Sequence, residues 1–184
     1  MTTETNRRAG LSVPQWYAVY TRSRAEKKAA DELLRKGIEC YLPIRKVRKT
    51  WGKRSRVVDF PLISCYLFVR VDYRRYYDAL MVSGVMWYVC FNGQPTTIPD
   101  QQIRSLKLIE EKMNEWIVVT SERIDKGDLI EVSEGPLKGF RGEVVRIKGE
   151  SHFVIRFRTL GCCIHASQEA LDFRIIEKRS CPVA

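Results

Sequence analysis

The chain has 184 residues, 45% of them apolar, and carries 32 lysines and arginines against 22 aspartates and glutamates, for a net charge of +10. That much apolar material fills one ordinary domain or two small ones and excludes a disordered polyelectrolyte. The basic excess is confined to residues 1–110, with 20 cations to 10 anions, while residues 111–184 balance at 12 to 12; the first part either faces a polyanion such as nucleic acid or uses its charge for solubility alone.

The opening residues, MTTETNRRAGLSVP, lack the apolar core of a secretory signal. The longest uncharged stretch, Ala79 to Pro99, is interrupted at Ser83-Gly84 and at Asn92-Gly93-Gln94-Pro95, which leaves pieces too short to cross a bilayer. A cytoplasmic protein is expected. The six cysteines follow neither a disulfide framework nor a Cys-x-x-Cys pattern and read as reduced, mostly buried small hydrophobes. Cys162 to His165, CCIH, has no second ligand pair, so no metal site is expected. With only His152 and His165, no paired-carboxylate motif and no nucleophile elbow, the chain reads as a binding protein and not an enzyme.

Taken in chain order, WYAVYT at 16–21 is aromatic and β-branched on both faces of a two-residue period, which predicts a buried strand. A helix follows. Ser23 and Glu26 have the spacing of a capping box, Ala25, Ala29 and Leu33 with Ala30 and Leu34 form an apolar stripe, and Gly37 stands where a left-handed C-cap belongs. IECYLP resumes a strand that ends at Pro43. Residues 45–56 then hold seven cations (Arg45, Lys46, Arg48, Lys49, Lys53, Arg54 and Arg56), which predicts an exposed loop or hairpin.

From Pro61 the chain returns as LISCYLFVRV, whose period points Leu67, Val69 and Val71 one way and Tyr66, Phe68 and Arg70 the other. With a charge on that second face, Tyr66 and Phe68 are either covered by another layer of the protein or left for a partner. Asp72 is placed to cap a second helix through YRRYYDALMVS, MWYVCF makes a further strand, NGQP a turn, and Asp100 caps a third helix with Ile103, Leu106 and Ile109 on one side. This order suits an α+β sheet of ferredoxin-like or RNA-recognition-like type.

The pattern breaks between Lys112 and Lys126, as expected of a linker. Beyond it, short β-branched strands bounded by glycines at 127, 135, 139, 142, 149 and 161 predict a small all-β barrel. Gly139 and Gly142 mark a bend that needs positive φ or close backbone approach. These glycines lack the strand-to-helix context and the Gly-Lys-Ser/Thr ending of a phosphate loop.

With EGPLKGFRGEVVRI following WYAVYTRSRAEKKAADEL, YLP, PLISCYLFVRV, GVMWYVCF and IPD, the chain resembles the NusG family of transcription elongation factors. The later part is similar to the family's SH3-like KOW barrel and residues 15–110 to its N-terminal domain. The wording of TRSRAEKKAADELLRKGIECYLP and YLFVRV is closer to the specialised antiterminators of the RfaH and UpxY groups, which serve surface-polysaccharide operons. The implied division is a tail at 1–14, a NusG N-terminal domain at 15–111, a linker at 112–124 and a KOW domain at 125–178.

The resemblance implies function by binding, without a cofactor, as a monomer. An aromatic concavity at Tyr20, Tyr66, Phe68 and Phe91 would dock on the clamp helices of RNA polymerase. Arg22, Arg24 and Lys28, with Lys49 and Arg54 of the basic segment, would meet upstream or non-template DNA. Tyr77 and Asp78 match a polar contact to the opposite jaw of polymerase, though their chemistry differs. Ribosomal protein S10 or the termination factor Rho would meet the KOW domain, with Phe140 and Ile164 as either contact or core positions. Some relatives refold this domain into helices, whereas EVVRI and FVIRF here favour strands. An RNA-binding or ribosome-associated KOW protein that never touches polymerase is the alternative. One departure bears on the dock: family members carry Pro-Gly or Pro-Asn before the tyrosine, where this chain has Ser64-Cys65.

Overall fold

The computed structural model describes residues 13–51, 54–113, 117–120, 127–133, 138–147, 150–157, 160, 162–167 and 173–177. In chain order the elements are β1 (Gln15–Thr21), α1 (Glu26–Arg35), β2 (Glu39–Tyr41), β3 (Ile44–Trp51), β4 (Arg54–Pro61), β5 (Tyr66–Val71), α2 (Tyr76–Leu80), β6 (Val85–Tyr88), β7 (Cys90–Phe91), β8 (Gln94–Pro95), β9 (Thr97–Ile98) and α3 (Asp100–Met113). Six strands follow: β10 (Ile117–Thr120), β11 (Asp128–Val132), β12 (Arg141–Ile147), β13 (Glu150–Phe157), β14 (Cys162–Ser167) and β15 (Phe173–Glu177). They form two compact units, one of Met1–Pro43 with Pro61–Asp100, the other of Ile44–Phe60 with Gln101–Ala184.

The first unit is an antiparallel sheet in the order β2-β5-β1-β6, with β9 also paired to β1. The period-two pattern of β5 is realised as expected. Val19 pairs with Leu67 and Tyr17 with Val69, and that face meets Ala29 and Leu33 of α1, Ile38, Ala79 of α2, Val82, Val85 and Tyr88 in one apolar cluster. Tyr88, stacked on Tyr76 at 4.0 Å, donates its hydroxyl to the Tyr76 carbonyl at 2.8 Å. Burial pushes the Tyr76 phenol up to about 12.

The C-terminus of α1 closes as its sequence predicts. Gly37, at φ 67°, donates to the Leu34 carbonyl and Ile38 to that of Leu33, the paired bonds of a Schellman motif, while the Ile38 and Leu33 side chains share the core. The N-terminus does not. Ala25 is the N-cap and has no side-chain cap bond, so Ser23 and Glu26 make no capping box. The Glu26 carboxylate is buried and instead accepts the Cys65 N–H at 2.8 Å, a long-range bond that outweighs the local cap. The helix expected after Asp72 is also shorter than its pattern, a single turn at α2. Asp72 Oδ1 accepts the N–H groups of Arg74 and Arg75, both at 3.0 Å, and so holds the preceding residues in a turn. Arg75 then donates to the carbonyls of Gly37 and Lys36 at 2.7 and 2.6 Å, placing a cation on the negative end of α1.

In the second unit β3 and β4 form a two-stranded hairpin, the form the basic segment takes. Strands β10 to β15 make a six-stranded antiparallel sheet in the order β10-β14-β13-β12-β11-β15, with Ile130, Val132, Phe140, Phe153, Val154, Ile155, Phe157 and Ile164 buried. Ile103, Leu106 and Ile109 of α3 are buried as their spacing predicts. The sequence places that helix with the preceding sheet; its hydrogen bonds group it with the strands that follow. Buried Ser105 donates to the Arg141 carbonyl at 2.9 Å and accepts its N–H at 3.1 Å, while Gln102 donates to the Arg156 carbonyl at 3.2 Å.

Glycine is required where β12 passes Phe140: a Cβ on Gly142 would lie 2.6 Å from the Phe140 ring and 2.8 Å from the Val154 carbonyl. Gly142→Ala is therefore expected to lower unfolding free energy by about 1–3 kcal/mol in urea denaturation. Gly93→Ala, with nothing within 4 Å of the added carbon but φ at +76°, is expected to cost about 1 kcal/mol.

Candidate functional site

The second face of the β2-β5-β1-β6 sheet carries the aromatic residues. Alternation places Trp16, Ala18 and Tyr20 of β1 there, opposite Arg70, Phe68 and Tyr66 of β5. On the other side of β1, Tyr20 stands opposite Trp87 of β6, at the point where a bulge shifts the register. Three rings thus form a row across adjacent strands. Tyr66 meets Tyr20 edge-on at 5.2 Å, and Tyr20 stacks on Trp87 at 4.9 Å with 8° between planes. Each such pair adds about 0.5–1.5 kcal/mol beyond its buried area.

Exposure changes along this face. Trp16, Ala18 and Phe68 are buried, with Phe68 at 0% exposure and stacked on Tyr41 at 6.0 Å. Tyr20 and Tyr66 are half-buried, and Trp87 is 52% exposed. Of the four aromatic residues assigned to a dock from sequence, Tyr20 and Tyr66 are in the row, whereas Phe68 is a core residue in this conformation. Phe91, 60% exposed, stands on the separate β7–β8 ribbon, whose turn at Asn92 (φ 51°) and Gly93 (φ 76°) is of the kind NG predicts. Trp87 was not anticipated. Its place beside Tyr20 follows from the register in which β6 pairs with β1, and MWYVCF alone carries no sign of that register.

Cys65 immediately precedes Tyr66 of the row. It occupies the left-handed region at φ 64°. Its N–H is held by Glu26, its carbonyl accepts the Thr21 N–H at 2.8 Å, and the neighbouring Cys65 thiol pushes the Tyr20 phenol up. Arg70, further along the face, pairs with Glu39 at 3.3 Å and Asp100 at 3.7 Å.

The cations assigned from sequence lie on surfaces. Arg22 and Arg24 precede α1, Lys28 is in its first turn, and all three are exposed; Arg24 is left-handed at φ 62°. Lys49 and Arg54 are exposed on the β3–β4 hairpin with Arg45, Lys46, Arg48 and Arg56, and the Lys49 ammonium sits 4.5 Å from the Phe60 ring centre. Tyr77 is 68% exposed beside Asp78, which Arg75 pairs at 3.5 Å. Phe140 and Ile164 require correction as contact positions. Both are fully buried, Phe140 against Phe153 at 5.2 Å, and belong to the core of the six-stranded sheet.

Among the described residues no cluster of three or more His, Cys, Asp and Glu could hold a metal ion, and no helix is long and apolar enough to cross a membrane. Burial pushes the Cys40 and Cys162 thiols up to about 11, so neither is a ready nucleophile near neutral pH. The side chain of His165 and the whole of Cys181 lie outside the described residues.

A family model described as "Transcription termination factor nusG" matches residues 14–107, just over half of the chain, including the whole aromatic face. The chain belongs to the NusG family. It is similar to the transcription termination/antitermination protein NusG of Rickettsia conorii, at 23% identity over 153 residues covering 77% of this chain and 79% of the relative. The NusG of Rickettsia typhi is 22% identical over 151 residues, covering 76% and 78%. A solved structure titled "Domain interaction in Thermotoga maritima NusG" matches 91% of this chain and 100% of its own, with a TM-score of 0.50 and 21% identity. That likeness shows a NusG-like fold of mixed helix and strand. This chain is thus a transcription termination/antitermination factor of the NusG family.

Two measurements check the row. A double-mutant cycle of Tyr20→Ala with Trp87→Ala is expected to give a coupling of about 0.5–1.5 kcal/mol in urea unfolding. Cys65→Val, β-branched at a left-handed position, is expected to lower stability by about 1–3 kcal/mol, whereas Cys65→Gly does not.

Proposed function

We propose that this NusG-family chain is an elongation and antitermination factor that docks on the clamp helices of RNA polymerase. The contact runs through the open end of its aromatic row, and the bound factor suppresses pausing or termination. The observation that carries the reading is the row Tyr66–Tyr20–Trp87, half-open to solvent on the outer face of a sheet whose other face is fully occupied by core. Exposed aromatic rings in a rigid frame are the residues at which binding energy concentrates, about 2 kcal/mol or more for a hot spot. Trp87 and Phe91 supply the exposed area, Tyr20 and Tyr66 the support, and Phe68 packs beneath the contact.

Arg22, Arg24, Lys28 and the hairpin cations meet upstream or non-template DNA. The hairpin suits that role because its exposed cations lie on both faces of a two-stranded ribbon, and such a ribbon fits the major groove of a B-form duplex. Phosphate contacts of this kind fix position without reading sequence. The six-stranded sheet is assigned as a KOW barrel whose partner is ribosomal protein S10 or Rho, met by residues other than Phe140 and Ile164. The assignment as a specialised antiterminator of polysaccharide operons rests on the wording of residues 21–43 and 66–71. The protein acts in the cytoplasm, as a monomer and without catalysis. Exposed cations also suit a second reading, an RNA-binding or ribosome-associated protein.

Recovery of RNA polymerase from a pull-down separates the two readings. Trp87→Ala is expected to weaken polymerase binding about tenfold or more while lowering stability by only about 1 kcal/mol, the order of its stacking on Tyr20. Phe68→Ala is expected to cost about 3–5 kcal/mol of folding free energy. Equal polymerase recovery by wild type and Trp87→Ala would defeat the docking reading, as would unchanged pausing and read-through when the protein is added to transcription on a long template.

A further inference from the structure

Cys65 sits in a backbone conformation that a residue with a Cβ rarely adopts, immediately before Tyr66 of the aromatic row. Two hydrogen bonds from different parts of the chain hold it there. Its N–H donates to Glu26 Oε1 at 2.8 Å, and its carbonyl accepts from Thr21 N–H at 2.8 Å. A strained residue persists when its surroundings over-determine it, and such strain collects at functional sites. Thr21 belongs to β1, on which the row is built, whereas Glu26 holds Cys65 from outside the sheet.

Glu26 is costly as a purely structural residue. Its carboxylate is buried to 4% exposure at the start of α1, where it leaves the helix without a side-chain cap. A buried carboxylate is retained only if hydrogen-bonded, and the bond it makes is to the amide of the strained turn.

We propose that Glu26 is a positioning residue for the polymerase-docking face: it clamps Cys65 in the left-handed conformation and so aims the Tyr66 and Tyr20 rings. The clamp performs the task that glycine would perform at this turn without help. Dependence on Glu26 therefore follows from having a Cβ at position 65. The link to polymerase rests on the docking reading above; the clamp itself does not.

The test is a set of variants read in two ways, by ring-to-ring nuclear Overhauser contacts of Tyr20 with Tyr66 and Trp87, and by affinity for RNA polymerase core enzyme. Glu26→Ala is expected to lose the Tyr20–Tyr66 contact and to weaken binding roughly tenfold, the factor that matches the penalty of a left-handed residue with a Cβ. Glu26→Gln keeps an acceptor oxygen and is expected to keep both readouts. Adding Cys65→Gly to Glu26→Ala restores ring contacts and affinity, while adding Cys65→Ala, which removes the thiol but keeps the Cβ, does not. Unchanged ring contacts in Glu26→Ala would overturn the proposal, and so would failure of Cys65→Gly to restore them. If Glu26→Ala does not fold alone, its refolding by Cys65→Gly but not by Cys65→Ala supports the clamp, and absence of that rescue overturns it. Ring contacts that are lost and restored as expected while affinity stays constant would keep the clamp and remove the docking reading.

Discussion

The architecture depends on β1 having two partners and two faces at once. Both edges of β1 are taken, by β5 on one side and by β6 and β9 on the other, so its backbone polar groups face neighbouring strands and its register is fixed along most of its length. Period two then assigns its side chains without freedom. Tyr17 and Val19 go to the helix-covered core, Trp16, Ala18 and Tyr20 to the outer face. A slip of one residue would exchange the two sets, putting core valine against solvent and the Tyr20 ring into the packed layer. The large apolar cluster around Leu33, Leu67 and Val69 is what forbids that slip, and so stabilises the aromatic row as a by-product of packing on the opposite side.

Where local periodicity decides, the structure is readable from sequence. The faces of β5, the Schellman end of α1 at Gly37 and the inward residues of α3 each follow from spacing or from a glycine with one available role. Reading fails where a contact distant in sequence wins over a local one. Glu26 has capping-box spacing to Ser23 but bonds Cys65, 39 residues away. Trp87 reaches Tyr20 only because β1 and β6, distant in sequence, pair in that register, and α3 has its amphipathic face in the expected place while its polar partners, Arg141 and Arg156, are far along the chain. Phe68 shares a face with Tyr66 by period alone; burial is a property of the whole assembly, and a strand's period does not contain it.

The basic hairpin shows a different limit. A lone two-stranded ribbon is marginally stable in water, and here six exposed cations add repulsion with Asp59 as the one acidic residue between β3 and β4. Local features offset this in part: Ile44 N–H donates to Glu110 at 2.9 Å at the base of the hairpin, and Lys49 lies over the Phe60 ring. Like charges held together at an intrinsic cost to stability are relieved by a polyanion, whose counterions are released on contact. Charge density that is a defect in the free chain is thus what the proposed DNA contact would use.

The aromatic row has a comparable tension. An apolar face that is wholly open invites non-specific association, and one that is wholly buried offers nothing to a partner. This face is graded between those limits, from Phe68 through Tyr20 and Tyr66 to Trp87. The buried end supplies rigidity, because rings packed edge-on and stacked have few alternatives in which to rotate, and a pre-ordered ring loses little entropy on binding. Tyr20 shows the effect most clearly: Tyr66 of one neighbouring strand meets its ring edge-on and Trp87 of the other stacks on its face, so the ring is held from both sides.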